Sequence, residues 1–351
     1  MYKFEYKPKS KTISELENEY FETIKSKVGI DSKNENLLKE ILLIKVDDIN
    51  TKNQDNLIEK FKKQNFPNRN DLNIRLLKYT LKKNKLKYEL FQPLIANFFS
   101  KELIFKTCPY CSIDYINSFQ EHLTYYSSFE EFIKFAEFEE LIKLKDIGEK
   151  TAKKIINNRN YKLKNSDKLK TNFTDLKLKK DYYNHFTLDH IFPKSEFPLF
   201  QLSIYNLLPA CYSCNCKFKK IKSFTHNLIP SSNQFDLLEK FSYSILKDKE
   251  NELKIDFKIN DISNSNEYLQ FLKIFKIKGR INEHIEIVKN YKELQEKYNE
   301  EKIKEISKQL HISVLQVKEM IFGKELFQEF GNDIPLFKFK KDIAKELKII
   351  S

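Results

Sequence analysis

Apolar residues recur every three or four positions through much of the first hundred residues. The stretches LLKEILLIKV (37–46), IRLLKYTLKK (74–83) and YELFQPLIANFF (88–99) each gather leucine, isoleucine and aromatic side chains on one stripe. That is the period of an amphipathic helix. Pro93 starts or kinks the last of the three. Residues 128–160 repeat the rhythm in FEEFIKFAEFEELIKLKD and EKTAKKIINN, and from Asn266 onward charges interleave with Ile285, Val288, Tyr291 and Leu294. Shorter pieces read as strands. HFTLDH (185–190) and ELKIDFKI (252–259) alternate apolar and polar residues, and NLLPA (206–210) is a brief apolar run. Ile113, Tyr115 and Phe119 suggest one more short strand, packed beside Cys108 and Cys111. Pro193 and Pro198 make the chain between them irregular, and a Lys-rich helix is expected from about Cys214. Residues 161–181 are polar and Lys-rich and predict an exposed connection. No internal repeat is present.

These patterns predict an α+β fold, predominantly α. A helical region spans 1–103, a mixed core spans 104–235 with a helical Lys-rich insertion at about 128–180, and a mostly helical region spans 236–351. The chain of 351 residues is long enough to bury a sizeable core, and 40% hydrophobic with 14% aromatic content excludes a disordered polymer. Net charge is +13, which suits a polyanionic partner. Part of that excess reflects a Lys- and Asn-rich coding bias, since Arg occurs only at Arg69, Arg75, Arg159 and Arg280. The distribution says more. Residues 143–180 carry a net charge of +9, and Lys217, Lys219, Lys220 and Lys222 form a second cluster. Near a phosphodiester site such clusters suit a nucleic-acid backbone.

Four of the five cysteines form two pairs of knuckle spacing, Cys108-Pro-Tyr-Cys111 and Cys211-Tyr-Ser-Cys214. Two such turns can place four thiolates around zinc at ~2.3 Å. The opening MYKFEYKPK has no apolar leader segment, and no apolar run approaches the ~18 residues of a membrane helix. The expected setting is therefore cytoplasmic, where thiols stay reduced and paired cysteines favour metal over disulfide. A closed four-thiolate site leaves zinc no open position, so its expected role is structural. Cys216 is left to packing.

The densest chemistry lies between Asp189 and Lys219. Asp189, His190, Asn206 and Asn215 are the residue types that a metal-dependent phosphodiesterase needs: oxygen donors, one base and a group to hold it. His190 and Asn206 are 16 residues apart and Asn206 and Asn215 are 9 apart, so strand, loop, strand and helix can converge on one small cation.

The pieces DHIFPKS, YNLLPAC and CYSCNCKFK, with the upstream CPYC, resemble the HNH endonucleases, whose core is the ββα-metal or His-Me finger. The wording is similar in particular to bacterial HNH proteins of defence-type operons. Asn215 stands where the family name has its final His, a common variant. The resemblance implies a DNA endonuclease acting in restriction or anti-phage defence, sometimes beside a separate ATPase subunit. It assigns His190 as general base and Asp189 and Asn215 as ligands of one Mg²⁺ or Mn²⁺. Asn206 would fix the His190 ring or hold the loop, and Lys194, Lys217 and Lys219 would contact phosphate. Cleavage would leave 5′-phosphate and 3′-hydroxyl ends. A ribonuclease or tRNA-cutting toxin on the same core, and a zinc-stabilised binding module without catalysis, stay open.

Weaker signals remain. His185 reads as a strand surface residue, and His226 could touch substrate. LIKLKDIGEKTAKKII (141–156) resembles a helix-hairpin-helix with Gly148 and Ala152 in place, and EISKQLHISVLQVKEMI (305–321) has the rhythm of a helix-turn-helix with His311 at the turn. Scarce Arg disfavours rich base readout.

Overall fold

The computed structural model describes residues 1–28, 32–65, 88–122, 126–163, 166–178, 180–260, 265–329, 331 and 334–350. The helix expected over 74–83 lies outside the described residues. What is described is α+β and mostly helical, with two-stranded antiparallel sheets only. Among the described residues no helix is long and apolar enough to cross a membrane. The chain forms two compact units. One joins Met1–Asn117 to His185–Ser351; the other is Ser118–Asn184.

The smaller unit contains the stretch read as a helical insertion. A two-stranded ribbon, β1 (Ser118–His122) against β2 (Lys180–Asn184), closes it at the base. Helices Phe129–Phe135, Phe138–Leu141, Glu149–Asn157 and Ser166–Leu178 gather a small core of its own, including Phe132, Leu144, Ala152 and Phe173. Two expectations change here. Within 161–181, Ser166–Leu178 is a helix and not a loop: Leu169, Phe173 and Leu176 fall at helical spacing and are buried, and Lys168 and Lys170 lie on the solvated face. Phe119 is not in a strand against the cysteines but in the ribbon, opposite Tyr183.

In the larger unit the N-terminal segment runs extended, burying Tyr2, Phe4 and Tyr6, and the Tyr6 hydroxyl donates to the Leu207 carbonyl at 3.0 Å. Helix Ile13–Val28 buries Leu16, Tyr20 and Ile24 at the period of four, and Glu35–Leu43 buries Leu37, Leu38 and Leu42. Helix Tyr88–Glu102 buries Phe91, Ile95, Phe98 and Phe99. The central element is β3 (Thr187–His190) antiparallel to β4 (Leu207–Ala210), with Thr187 opposite Ala210 and His190 opposite Leu207. A π-type helical segment, Ser213–Lys219, follows β4 at once. Strand, strand and helix thus form one small unit. A second hairpin pairs β5 (Phe241–Lys247) with β6 (Leu253–Ile259). The β5 strand, FSYSILK, alternates as clearly as its partner. Helix Phe337–Glu346 covers it, and Asp342 and Glu346 accept the free backbone N–H groups of Tyr243 and Ile245 at 3.0 and 2.9 Å. Those carboxylates do for an open sheet edge what a third strand would do.

Candidate functional site

The two cysteine pairs meet. The Sγ atoms of Cys108, Cys111, Cys211 and Cys214 all lie within 4.8 Å of one another, and all four residues are buried. The first turn is drawn tight by Ser112, at φ 53°, whose N–H donates to the Cys108 carbonyl at 2.7 Å. A bridge between Thr107 and Tyr115 closes its neck. The second turn begins as β4 ends. Backbone N–H groups then point at sulfur: Cys211 to Cys108 Sγ, Cys214 to Cys211 Sγ and Ile113 to Cys111 Sγ, each at 3.4 Å. Sulfurs ~2.3 Å from a tetrahedral zinc lie about 3.8 Å apart along each edge. Four buried thiols that close, with N–H donors aimed at them, fit a structural zinc ion. Cys216 is exposed and takes no part.

Arg280 adds what the sequence did not announce. Its guanidinium reaches Cys214 Sγ at 3.4 Å and Cys111 Sγ at 3.5 Å, and it pairs with Asp114 at 2.8 Å. A four-thiolate zinc centre carries two negative charges in excess, and a cation against the sulfurs offsets part of them. Against its own burial, the neighbouring cysteines and Arg280 hold the Cys111 thiol well below the usual range.

Along β3, side chains alternate between faces. Thr187 and Asp189 look toward the helix Ser213–Lys219. The Thr187 hydroxyl donates to the Ala210 carbonyl at 3.2 Å and accepts from Asn215 Nδ2 at 2.9 Å. Asp189 is 2% exposed. Its Oδ2 accepts from the Tyr110 hydroxyl at 2.6 Å, and Lys219 Nζ lies 3.2 Å from Oδ1 and 3.1 Å from Oδ2. The same ammonium donates to the His190 carbonyl at 2.8 Å. Burial pushes the Asp189 carboxyl above its ordinary range, while Lys219 and Tyr110 pull it down.

This corrects one expectation and bears on another. Lys219 does not face a phosphate: it is fully buried, and Asp189 and His190 take up its donors. The divalent ion implied by the HNH resemblance meets a poor donor set. Asp189 is already engaged by a buried ammonium and a phenol, so a cation there would sit against the Lys219 charge. As arranged, these residues do not fit a divalent cation.

His190 turns to the other face. Its Nε2 lies 2.9 Å from the Gln201 carbonyl, and the Tyr88 ring stands edge-on with centroids 4.4 Å apart. A carbonyl only accepts, so Nε2 carries the proton and Nδ1 keeps the lone pair. Burial, opposed by that carbonyl and aided by Lys194 and Lys219, lowers the His190 pKa to about 4. The ring is neutral at physiological pH.

Asn206 makes no bond to the ring. It is completely buried. Its Oδ1 accepts from Phe192 N at 2.9 Å, and Nδ2 donates to the carbonyls of Phe192 and Phe200 at 3.2 and 3.1 Å. It therefore pins the loop between β3 and β4 from inside, the second of the two roles expected of it. Lys194 is half-exposed, pairs with Glu89 at 2.8 Å and lies 4.9 Å from the Tyr88 ring centroid. Lys217 is exposed, over the Tyr212 ring at 5.8 Å. His185 is exposed, and His226 packs 5.8 Å from Phe192.

The weaker motifs hold locally. Ile147 is buried between Asp146, at φ 73°, and Gly148, so residues 141–156 form a hairpin between helices, with carboxylates at Asp146 and Glu149 beside the turn. His311 takes φ 54° between helices Glu300–Leu310 and Val314–Phe322. The second of these exposes Leu315 and Met320, a surface unsuited to a polyanion. Sequence reasoning missed Tyr88, Tyr110 and Arg280. Only Tyr110, framed by the first cysteine pair, carried a local signal.

Comparisons with protein-family models, with curated proteins and with solved structures find no match to this chain.

Proposed function

We propose that this chain is a nucleic-acid phosphodiesterase of the HNH kind, acting on DNA, with His190 as general base. The observation that carries the proposal is His190 itself: a neutral imidazole at the end of β3, its tautomer set by Gln201 and its loop clamped by Asn206. In this mechanism Nδ1 takes a proton from water, and the hydroxide attacks phosphorus. The P–O3′ bond then breaks, and the departing oxygen takes a proton from solvent, leaving 5′-phosphate and 3′-hydroxyl ends. An approaching phosphate anion raises the pKa of the imidazole, which strengthens the base when it is needed. Lys194 is the cation placed to meet that phosphate. Its exposed pair with Glu89 contributes ~1 kcal/mol or less, so exchange for a phosphate oxygen is inexpensive. Zinc held by Cys108, Cys111, Cys211 and Cys214 would supply rigidity. The Mg²⁺ or Mn²⁺ of the resemblance would need Asp189 to give up Lys219, and the proposed steps use the protein's own groups.

Plasmid DNA, single-stranded RNA and tRNA, each incubated with the protein and with His190→Ala, form the test. The proposal expects nicking or linearisation of the plasmid by the wild type and a loss of roughly 10²–10⁴-fold in the variant. Cleavage of RNA alone would move the substrate class and keep the base. Equal rates for both proteins would remove His190 from the chemistry.

A further inference from the structure

Tyr88 is 5% exposed, and its hydroxyl has no hydrogen-bond partner among the described residues. Leaving a buried hydroxyl unpaired costs ~1–3 kcal/mol, so it calls for an explanation. Its surroundings are specific. The ring stands 4.4 Å from that of His190, and the Lys194 ammonium lies over it at 4.9 Å. The backbone N–H of Tyr88 donates to the Gln201 side chain at 3.4 Å, and Gln201 is the residue whose carbonyl orients His190. The first turn of the helix Tyr88–Glu102 is thus built onto the base from two directions.

We propose that Tyr88 is a further catalytic residue, whose hydroxyl donates to a non-bridging oxygen of the phosphodiester held beside His190. The inference rests on the nuclease reading above and deepens it. Burial first, then the Asp189 and Glu89 carboxylates, raise the phenol far above its ordinary range, so the group stays protonated and acts as a donor. Charge gathers on the non-bridging oxygens as water attacks, and a donor already desolvated and fixed stabilises that charge without reorganising. The hydroxyl is covered in this structure, so phosphate binding has to displace what lies over it; Lys194 over the ring and that hydroxyl would then offer the phosphate one positive charge and one directed hydrogen bond. The phenol does not take the proton of the attacking water; His190 does.

Tyr88→Phe separates catalysis from structure. A hydroxyl that bonds none of the described residues leaves no hole in their network, so the variant should unfold at the wild-type temperature or slightly above, with the same zinc content. A donor used in the transition state predicts a fall in kcat of roughly 10–100-fold with KM little changed. The experiment measures single-turnover cleavage of a DNA duplex, melting temperature and zinc content for wild type, His190→Ala and Tyr88→Phe. His190-dependent cleavage with an unchanged kcat in Tyr88→Phe overturns the role of Tyr88 alone. A joint fall in melting temperature and activity also overturns it, because the hydroxyl would then be structural. Absence of His190-dependent cleavage of any nucleic acid overturns the nuclease reading and this inference together.

Discussion

Replacing Lys219 by methionine should be among the most damaging single changes in this protein. The side chain is completely buried, and its three donors meet Asp189 Oδ1 at 3.2 Å, Asp189 Oδ2 at 3.1 Å and the His190 carbonyl at 2.8 Å. Methionine fills most of the volume but leaves a carboxylate 2% exposed, with only the Tyr110 hydroxyl to answer it. Removing one partner of such a buried pair costs ~3–5 kcal/mol. At ~2–4 °C per kcal/mol, the melting temperature should fall by roughly ten degrees. Asp189 would then become neutral, since burial already raises its pKa and Lys219 is the largest influence holding it down. The double variant Asp189→Asn/Lys219→Met removes both charges and keeps an acceptor for Tyr110, so it should be more stable than Lys219→Met alone. Urea unfolding of wild type, both single variants and the double variant closes the cycle, with a coupling of ~2 kcal/mol or more expected. A Lys219→Met protein within 1 kcal/mol of wild type, or strictly additive changes, would refute the account of a buried, mutually dependent pair. The pair also bears on metal use: Mn²⁺ affinity of the wild type should not change in Asp189→Asn, and a clear loss would show the carboxylate to be a ligand after all.

Metal analysis of purified protein should find stoichiometric zinc, and chelation should lower the melting temperature, because four buried thiols this close would lose the ion that ties the two cysteine turns together. Arg280→Met should speed zinc transfer to a competing chelator by roughly 10-fold or more through loss of the cation at two sulfurs, and unchanged release would discount it. The pH profile should be displaced to acid. With the His190 pKa lowered to about 4, kcat/KM should stay level from pH 8 to 5 and fall only as pH drops through about 4, whereas a limb near ~6.5 would mean an ordinary histidine. The sign for stability is the same: the unfolded chain takes up this proton first, so stability is full above ~6.5 and is lost as pH falls toward about 4.

The elements that position His190 were open to reading. HFTLDH and NLLPA carry their strand signal in consecutive residues, and the cysteine spacing needs no partner to be recognised. Helix Ser166–Leu178 was legible in principle from Leu169, Phe173 and Leu176, but thirteen residues dominated by Lys, Asp, Asn and Thr masked the stripe. Lys219 was not legible. In a run with Lys217, Lys220 and Lys222 nothing marks one lysine as buried, because the group that neutralises it, Asp189, is thirty positions away. The same holds for Arg280, which reaches a sulfur 169 residues upstream, and for Tyr88, whose neighbour His190 lies on another element. Long-range electrostatics leaves no periodicity in a sequence.

Those long-range contacts join two sites that the sequence presents separately. Tyr110 sits inside the first cysteine turn, and its hydroxyl ends on Asp189. Asp189 holds Lys219, and Lys219 holds the backbone carbonyl of His190. A continuous chain of polar contacts therefore runs from the first cysteine turn to the backbone of His190. Arg280 fastens the far end of that chain to the C-terminal helices. If the chain is mechanical, Tyr110→Phe should leave zinc bound but loosen Asp189 and, through it, the setting of His190. Its effect on cleavage should then exceed its effect on melting temperature. If zinc loss and Tyr110→Phe lower activity only in proportion to stability, the two sites share a core and nothing more.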